Sequence, residues 1–304
     1  MGKTFMLGVG CQRGGTTWLH NFLSSHPQCV MSLPKELHIF DAALMPDPFI
    51  LFQRERIERV AGRLRQWLEQ VEAVTPVFTP ALRRDVEQIR MTDDFSEYVA
   101  YFDRLLAASP GRRLTGEISP SYATLEAGHF RRIRGLMESA GYRIRVVFLM
   151  RDPIERIYSH LRLDDAIAAA RGAPEAVPAH LRFKDGFAGR HAALRTRYHA
   201  TMAALDGAFA AEQIFYGFSE TLFSPAEVDR LCRFLGIAPH AADFAGRLNG
   251  SDRLAELPPE DIRRARHHYA ETYDACAARF GCDFIAAIWR HWSDAPAPMA
   301  AGEA

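Results

Sequence analysis

The first residues suited to chemistry form a glycine-rich loop at positions 10–17, which reads Gly-Cys-Gln-Arg-Gly-Gly-Thr-Thr. Backbone amides in such a loop, together with the first turn of a following helix, point at an anion. Gly10 and Gly15 have the spacing of the phosphate-binding pattern Gly-x-x-x-x-Gly-Lys-Ser/Thr, but Thr16 replaces its lysine and the basic residue is Arg13. The loop is therefore expected to bind a shorter anion than a nucleoside triphosphate. A glycine-rich turn without a ligand is the alternative.

A second segment suited to anion binding reads Arg-Asp-Pro-Ile-Glu-Arg-Ile-Tyr-Ser at positions 151–159. Arg151 can make bidentate contacts with a phosphate, and Ser159 can supply a hydroxyl to the same group. Taken alone, the segment is also compatible with a capped helix that carries a surface arginine. Both segments follow an expected strand and open an expected helix, so together they indicate a ligand with two separated phosphate groups.

The two segments resemble the donor-binding motifs of sulfotransferases that use 3′-phosphoadenosine-5′-phosphosulfate (PAPS). Positions 13–17 are similar to the family's Lys-x-Gly-Thr-Thr, with arginine in place of lysine, and positions 151–159 match Arg-Asp-Pro-x-x-Arg-x-x-Ser, with Arg156 as the second arginine. A weaker similarity at 249–253 implies a loop that covers the nucleotide. The donor-binding residues implied by the resemblance are Arg13, Gly14, Gly15, Thr16, Thr17, Trp18, Arg151, Ser159, Ser251 and Arg253.

The segment Lys-Glu-Leu-His-Ile-Phe-Asp at 35–41 resembles the Lys-Glu-x-His-Phe-Phe-Asp segment of heparan-type and bacterial carbohydrate sulfotransferases. The resemblance implies that Glu36 is the general base and that Arg13 offsets charge on the transferring group. His38, which can titrate near neutrality, is the second candidate for the base. A solvated loop carboxylate without a catalytic role is the alternative interpretation of Glu36.

Glu117 is a third candidate for the base. It lies in Gly-Glu-Ile-Ser-Pro-Ser-Tyr at 116–122, which resembles Gly-Glu-Lys-Ser/Thr-Pro-x-Tyr of the same relatives. Ile118 replaces a lysine that helps hold donor and acceptor in those relatives, so one expected positive charge is missing. This departure bears on the carbohydrate acceptor more than on the chemistry.

The activity implied by the resemblance is transfer of a sulfuryl group from PAPS to a hydroxyl or amine of a saccharide, a lipid head group or a small metabolite. PAPS is the expected co-substrate, and no metal is expected, because the sequence shows no aspartate suited to a nucleotide-bound Mg²⁺. Two other functions stay open: a P-loop kinase for a small metabolite, and a relative that binds PAP (the desulfated donor) or another nucleotide without catalysis. The missing loop lysine argues against the kinase, and Glu36 argues against the inactive relative.

Short apolar runs alternate with helical patterns along the chain, which predicts an α/β fold. We expect a P-loop-like three-layer α/β/α architecture with a central parallel sheet, an inserted helical layer, and ligands at the carboxyl ends of the strands. The predicted strands span 5–9, 29–32, 114–117, 144–150 and 213–218. Helices are predicted from 16 onward, over most of 49–106, over 130–139, 154–162, 194–210 and 225–235, and within 257–280, with 166–187 as a loop. One domain is expected at 1–292, with the helical insertion at about 42–113, and a disordered tail at 293–304.

Composition narrows the possible partners. The chain has 37 basic and 37 acidic residues, so no overall field favours nucleic acid or an anionic membrane, and an anionic ligand must be held by local charge. The five cysteines are widely spaced and odd in number, which favours reduced thiols over disulfides or a zinc site. No signal-peptide pattern and no apolar run of membrane-spanning length is present. These features predict a cytoplasmic protein, and the resemblance implies that its partner is a small-molecule, carbohydrate or lipid acceptor.

Overall fold

The computed structural model describes residues 2–69, 79–172, 177–244 and 255–293. Two sequence predictions fall outside these residues: the nucleotide-covering loop at 249–253, which contains Ser251 and Arg253, and the disordered tail, of which all but Ser293 is excluded.

Five strands form one parallel sheet in the order β2-β3-β1-β4-β5, so the strands predicted from the sequence are confirmed. They are β1 Lys3–Gly10, β2 Cys29–Met31, β3 Leu114–Ile118, β4 Tyr142–Met150 and β5 Ile214–Phe218. The central strand β1 pairs with β3 and β4, so that Leu7 is level with Glu117 on one side and Val146 on the other. A continuous apolar run suits this position, because a parallel strand is buried on both faces.

Helices cover both faces of the sheet, which confirms the predicted three-layer α/β/α architecture. Alternate side chains of β1 point to opposite faces: Phe5 and Leu7 join the larger core, and Met6 joins the smaller one. The α-helices within the described residues are α1 Thr16–Ser25, α2 Phe40–Leu44, α3 Pro46–Glu69, α4 Pro80–Asp93, α5 Phe95–Ala107, α6 Ala127–Ser139, α7 Pro153–Ala170, α8 Ala179–Gly186, α9 Arg190–Leu194, α10 Tyr198–Asp206, α11 Pro225–Leu235, α12 Pro259–His268, α13 Ala270–Phe280 and α14 Cys282–Ile288. The larger core contains side chains from α5, α6, α10 and α13, and the smaller contains side chains from α1 and α11.

Helices α2 to α5 lie between β2 and β3, in the region where the sequence predicts a helical insertion. Arg59 of α3 forms an ion pair with Asp85 of α4, at 2.9 Å, and Tyr98 and Phe102 of α5 pack against Phe5 of the sheet. The insertion is thus attached to the sheet through α5. None of the described helices has the length and apolar character needed to cross a bilayer.

Two predictions about helices were wrong. The region 166–187 is not a loop, because it contains the end of α7 and all of α8; Pro178 is the N-cap of α8, a helix start at which proline is well tolerated. The predicted helix at 194–210 is broken between α9 and α10. Tertiary contacts hold this break, since the carbonyl oxygen of Thr196 accepts a hydrogen bond from Oγ1 of Thr272, at 3.1 Å.

The loops suited to chemistry all follow carboxyl ends of strands. The glycine-rich loop follows β1, the loop at 32–39 follows β2, and residues 119–124 follow β3. Arg151 follows β4, and Ser219 follows β5. A parallel sheet gathers such loops at one edge, so segments that are far apart in sequence meet there.

The close approach of β1 and β3 predicts that Gly116 is essential for stability. A Cβ on Gly116 would lie 2.0 Å from the carbonyl oxygen of Met6, so Gly116→Ala must push the two strands apart. We expect it to lower the free energy of unfolding by about 1–3 kcal/mol or more, as overpacking does. The matched control is Gly62→Ala in α3, where a Cβ meets no atom within 4 Å and the better helix propensity should add about 0.5–1 kcal/mol. Urea denaturation measures both variants, and equal stability of the two would contradict the prediction.

Candidate active site

The glycine-rich loop joins β1 to α1 and leaves no room for larger side chains. Gly15 has a φ of 94°, a left-handed conformation that glycine adopts without strain, and a Cβ there would lie 2.7 Å from Cδ2 of Leu222. A Cβ on Gly14 would lie 2.8 Å from Sγ of Cys11. Gly15 is the N-cap of α1 and has no side-chain acceptor, so the amides of the first turn are left for an anion.

The second loop is fixed by the carboxylate of Asp152, the N-cap of α7. It accepts hydrogen bonds from the amides of Ile154, at 2.9 Å, and Glu155, at 3.3 Å. It also accepts from the hydroxyl of Tyr273 and from the amide of His291, both at 2.9 Å. This buried side chain therefore ties the start of α7 to the C-terminal helices, as an N-cap with additional partners.

The two loops meet because β1 and β4 are neighbours in the sheet. Nε of Arg13 donates to Oγ of Ser159, at 2.9 Å, and the Arg151 guanidinium donates to the carbonyl oxygen of Arg13, at 3.1 Å. Burial, and then the charges of Arg151, Arg162 and Arg156, lower the pKa of Arg13. A bound anion would relieve this repulsion between like charges.

A cleft of about 590 Å³ opens at the carboxyl edge of the sheet, a volume that suits a small-molecule site. Arg13, Thr16 and Thr17 line it from the glycine-rich loop. Arg151 and Glu36 also line it. The residues predicted to bind the donor and the residue predicted to be the base therefore share one cleft.

Glu36, His38 and Asp41 form a chain of polar contacts beside this cleft. Oε2 of Glu36 lies 3.3 Å from Nε2 of His38, and Nδ1 of His38 lies 2.7 Å from Oδ2 of Asp41. Nζ of Lys35 lies 2.5 Å from the other oxygen of Glu36. Asp41 is fully buried and also accepts from the hydroxyl of Ser121, at 2.5 Å. The histidine is thus held between two carboxylates.

These contacts settle the charge of each group at neutral pH. Burial opposes the charged form of Glu36, but His38 and Lys35 outweigh it and lower the pKa of Glu36 to about 2. Burial likewise opposes the charged form of His38, but hydrogen bonds to Asp41 and Glu36 raise the pKa of His38 to about 9. Glu36 is therefore a carboxylate and His38 an imidazolium.

Glu117, the third candidate for the base, is fully buried beneath this loop. Oε1 accepts from the hydroxyls of Tyr98, at 2.6 Å, and Tyr122, at 2.9 Å. Oε2 accepts from the hydroxyl of Ser119, at 2.7 Å, and from the amide of Leu37, at 3.3 Å. All four donors point at the carboxylate from within the protein, so Glu117 supports the loop and does not line the cleft.

The inserted helices hold the same loop from the other side. The Arg56 guanidinium of α3 donates to the carbonyl oxygens of Leu37 and His38, and Nε2 of Gln88 in α4 donates to that of Leu37, at 3.1 Å. His38 has a φ of 50°, a left-handed conformation that is unfavourable for a residue with a side chain. The insertion therefore helps keep the polar chain in place.

Ile118, which replaces the lysine of the relatives, is a core residue in this fold. It is fully buried in the smaller core, and a Cβ added to Gly8 would lie 2.7 Å from it. The positive charge beside the carboxylate of Glu36 comes instead from Lys35.

Residues 6–241, most of the chain, match the model of the family described as Sulfotransferase family. The chain belongs to the sulfotransferase family. A search of curated protein sequences found no significant match to this sulfotransferase.

Solved structures of sulfotransferases are similar to it. A sulfotransferase from Alicyclobacillus acidocaldarius is 19% identical, with a TM-score of 0.55, over 92% of this chain and 96% of its own. The sulfotransferase domain from the curacin biosynthetic pathway is 17% identical, with a TM-score of 0.43, over 88% of this chain and 97% of its own. The sulfotransferase domain from the Synechococcus PCC 7002 olefin synthase is also 17% identical, with a TM-score of 0.43, over 88% of this chain and 94% of its own. The first comparison supports the fold.

Most of the residues predicted from the sequence come together in this sulfotransferase. Trp18 lines the cleft and also belongs to the smaller core. Its Nε1 donates to the carbonyl oxygen of Asp243, at 2.8 Å, and its ring stacks on Phe22.

Sequence reasoning missed Glu220, which lines the cleft just after β5. Oε1 of Glu220 accepts from the amide of Asp152, at 2.9 Å, and burial raises the pKa of Glu220 to about 7. A charged residue directly after a strand was the available signal. It also missed Arg56 and Gln88, for which the sequence offers no signal, because they act only through contacts with a distant loop.

The contacts of Arg56 predict a measurable role in holding the loop at 35–41. We expect Arg56→Met to destabilise the protein by about 1.5–3 kcal/mol, the range for hydrogen bonds to charged groups, and to accelerate amide exchange in the loop. Arg54→Met is the matched control, since Arg54 is on the same helix with its side chain 71% exposed. Urea denaturation and hydrogen exchange measure both effects. If amide hydrogen exchange at 35–41 is unchanged in Arg56→Met, Arg56 does not hold this loop in place.

Proposed function

We propose that this sulfotransferase transfers a sulfuryl group from PAPS to a hydroxyl or amine of an acceptor, with Glu36 as the general base. The observation that carries the proposal is that the Arg13 loop, Arg151 and Glu36 line the same cleft. We also propose a cytoplasmic location, which the widely spaced free cysteines support.

The residues at the donor side suit a ligand with two anionic ends. Arg13 and the first-turn amides of Thr16 and Thr17 would hold the phosphosulfate, which supplies the activated sulfuryl group when the donor is bound. Arg151 and Ser159 would hold the 3′-phosphate. The lowered pKa of Arg13 supports this assignment, because an anion would stabilise the crowded guanidinium groups.

The charges in the polar chain favour Glu36 over His38 as the base. An imidazolium has no lone pair with which to take a proton, whereas the carboxylate of Glu36 is ionised at neutral pH. His38 would orient Glu36 by donating from Nε2, and Asp41 would hold the imidazolium from the other side. These charges support Glu36 as the group that removes the proton and His38 as the group that orients it.

In the proposed reaction the acceptor oxygen or nitrogen attacks sulfur while Glu36 accepts its proton. The bond from sulfur to the phosphate oxygen breaks, and PAP leaves with the electron pair. Arg13 and Lys35 would stabilise the negative charge on the sulfuryl oxygens and on the leaving phosphate. Positioning and charge supply most of the rate enhancement in such transfers.

Donor binding provides the first test. Thermal unfolding with PAP should show a higher melting temperature, and ATP–Mg²⁺ should not, because only a ligand of the native state stabilises it. Arg151→Ala should weaken PAP binding by about 1.5–3 kcal/mol, through loss of a charge-assisted contact. Arg104→Ala, whose side chain is 55% exposed, is the control and should bind PAP as the wild type does. Stabilisation by ATP–Mg²⁺ alone would favour a kinase, and equal PAP affinity in both variants would contradict the role of Arg151.

The base is tested by Glu36→Gln, which keeps the shape of the side chain but cannot take a proton. Turnover should fall by about a hundredfold to ten-thousandfold, the usual value of general-base catalysis, while PAP binding persists. His38→Ala should reduce turnover less.

In the wild type, turnover should fall as the pH rises through about 9, where His38 loses its proton, and this decrease should be absent in His38→Ala. Turnover is measured with any acceptor found by screening with labelled donor. If Glu36→Gln is active and His38→Ala is inactive, Glu36 is not the base. If both variants bind PAP and turn over as the wild type does, neither residue takes part in catalysis.

A further inference from the structure

Near the cleft, one fully buried guanidinium has no hydrogen-bond acceptor among the described residues. The side chain of Arg156, in the first turn of α7, is inaccessible to solvent, and its Nε, Nη1 and Nη2 find no acceptor among the described residues. Burying a guanidinium without acceptors is costly, and an aliphatic side chain of similar length would avoid that cost. The arrangement indicates that an anion completes the site.

Further basic side chains lie near Arg156. His160 lies one turn further along α7, and its buried Nδ1 also lacks a hydrogen-bond partner in the described part of the chain. Burial, and then the charges of Arg156, Arg195 and Arg13, lower the pKa of His160 to about 4. Nε2 of His160 lies 3.9 Å from Oδ2 of Asp164, whose own pKa is raised by burial. Positive charge therefore dominates this space.

Arg195 extends the group toward the base. It lies between α9 and α10, is 8% exposed, and its guanidinium lies 2.9 Å from Nδ1 of His191. Burial and the charge of Arg156 lower the pKa of Arg195, while the charges of Asp41 and Glu36 oppose this shift. Arg195 therefore interacts electrostatically with Arg156 and with the carboxylates of Asp41 and Glu36.

The cations Arg156 and Arg195, together with His160, which is neutral at pH 7, form what we name the α7 cation cluster. On one side it adjoins the donor loop, because Arg13 donates to Ser159, the residue before His160, at 2.9 Å. On the other side it adjoins Glu36 through Arg195. The cluster thus lies behind the wall of the cleft, between the donor loop and Glu36.

We propose that the α7 cation cluster is a second anion site, which holds a sulfate, phosphate or carboxylate group carried by the acceptor. The inference rests on the proposed sulfuryl transfer and narrows its acceptor to molecules that already bear an acidic group. Arg195 lies outside both donor motifs, so a change at Arg195 separates acceptor binding from donor binding.

Three proteins test the proposal: the wild type, Arg195→Met and the control Arg197→Met. Arg197 is exposed and lies two residues from Arg195, so it matches the change in charge outside the cluster. Calorimetry first measures PAP affinity, which should be equal in all three. If the wild type does not bind PAP, the proposed function is overturned. If Arg195→Met alone binds PAP more weakly, Arg195 contributes to donor binding and the proposed separation of donor and acceptor binding is wrong.

The PAP-saturated proteins are then titrated with inorganic sulfate and phosphate, against sodium chloride of equal ionic strength. Since PAP fills the donor site, sulfate should raise the melting temperature of the wild type and Arg197→Met but not of Arg195→Met. Loss of one charge-assisted contact should weaken sulfate binding by about tenfold to a hundredfold. If sulfate does not raise the melting temperature of the wild type, the proposal is overturned. This measurement on the wild type does not depend on whether the variants fold.

Acceptor turnover separates a substrate group from a free anion. Acceptors that bear sulfate, phosphate or carboxylate should have kcat/KM about tenfold to a hundredfold above their neutral counterparts, and Arg195→Met should remove this preference through KM. Arg197→Met should retain it. If the acceptors found in the screen are neutral and sulfate still binds, the cluster serves a free anion and the assignment to the acceptor is wrong.

Discussion

The buried side chain of Glu117 holds together the segments beside the Glu36 end of the cleft. Its donors come from α5, from the turn after β3 and from the loop after β2. A buried polar group is stable only when its hydrogen bonds are made, so the geometry of all three segments is fixed together. The loop that carries Glu36 is thereby held in a conformation that includes a left-handed His38. Arg56 and Gln88 complete this support from the insertion.

Like charges meet at the other side of the cleft, beside the glycine-rich loop. The charges of Arg151, Arg162 and Arg156 lower the pKa of Arg13, and a bound anion would relieve this repulsion. Acidic side chains line this part of the cleft as well: Glu155 lies 3.6 Å from Arg151, and Glu220 accepts from the amide of Asp152. Glu36, in contrast, has His38 and Lys35 as partners. Local conflict of this kind is expected at functional sites.

Much of the fold could be predicted because its signals are local. The buried strands are apolar runs bounded by glycine or charge, and the start of α7 is marked by an aspartate N-cap and a proline in its first turn. The errors arose where tertiary contacts outweigh local pattern. The break between α9 and α10 is held by Thr272, 76 positions from Thr196, and no pattern near 194–210 reveals such a contact. Proline is common both in loops and at helix starts, so Pro178 by itself does not distinguish a loop from the start of α8.

Among the predicted site residues, those in the two loops at the ends of β1 and β4 could be found from the sequence, because glycines and a capped strand-to-helix junction are local signals. Glu36, His38 and Asp41 also lie within one short segment. The burial of Glu117, and its hydrogen bonds from donors that include Tyr98 and Leu37, became visible only in the folded protein. The charges of Glu36 and His38, and the position of Arg195 near both, likewise depend on distances across the fold. Electrostatic interaction acts through space, and residue spacing along the chain carries no information about it until the sheet has brought the loops to one edge.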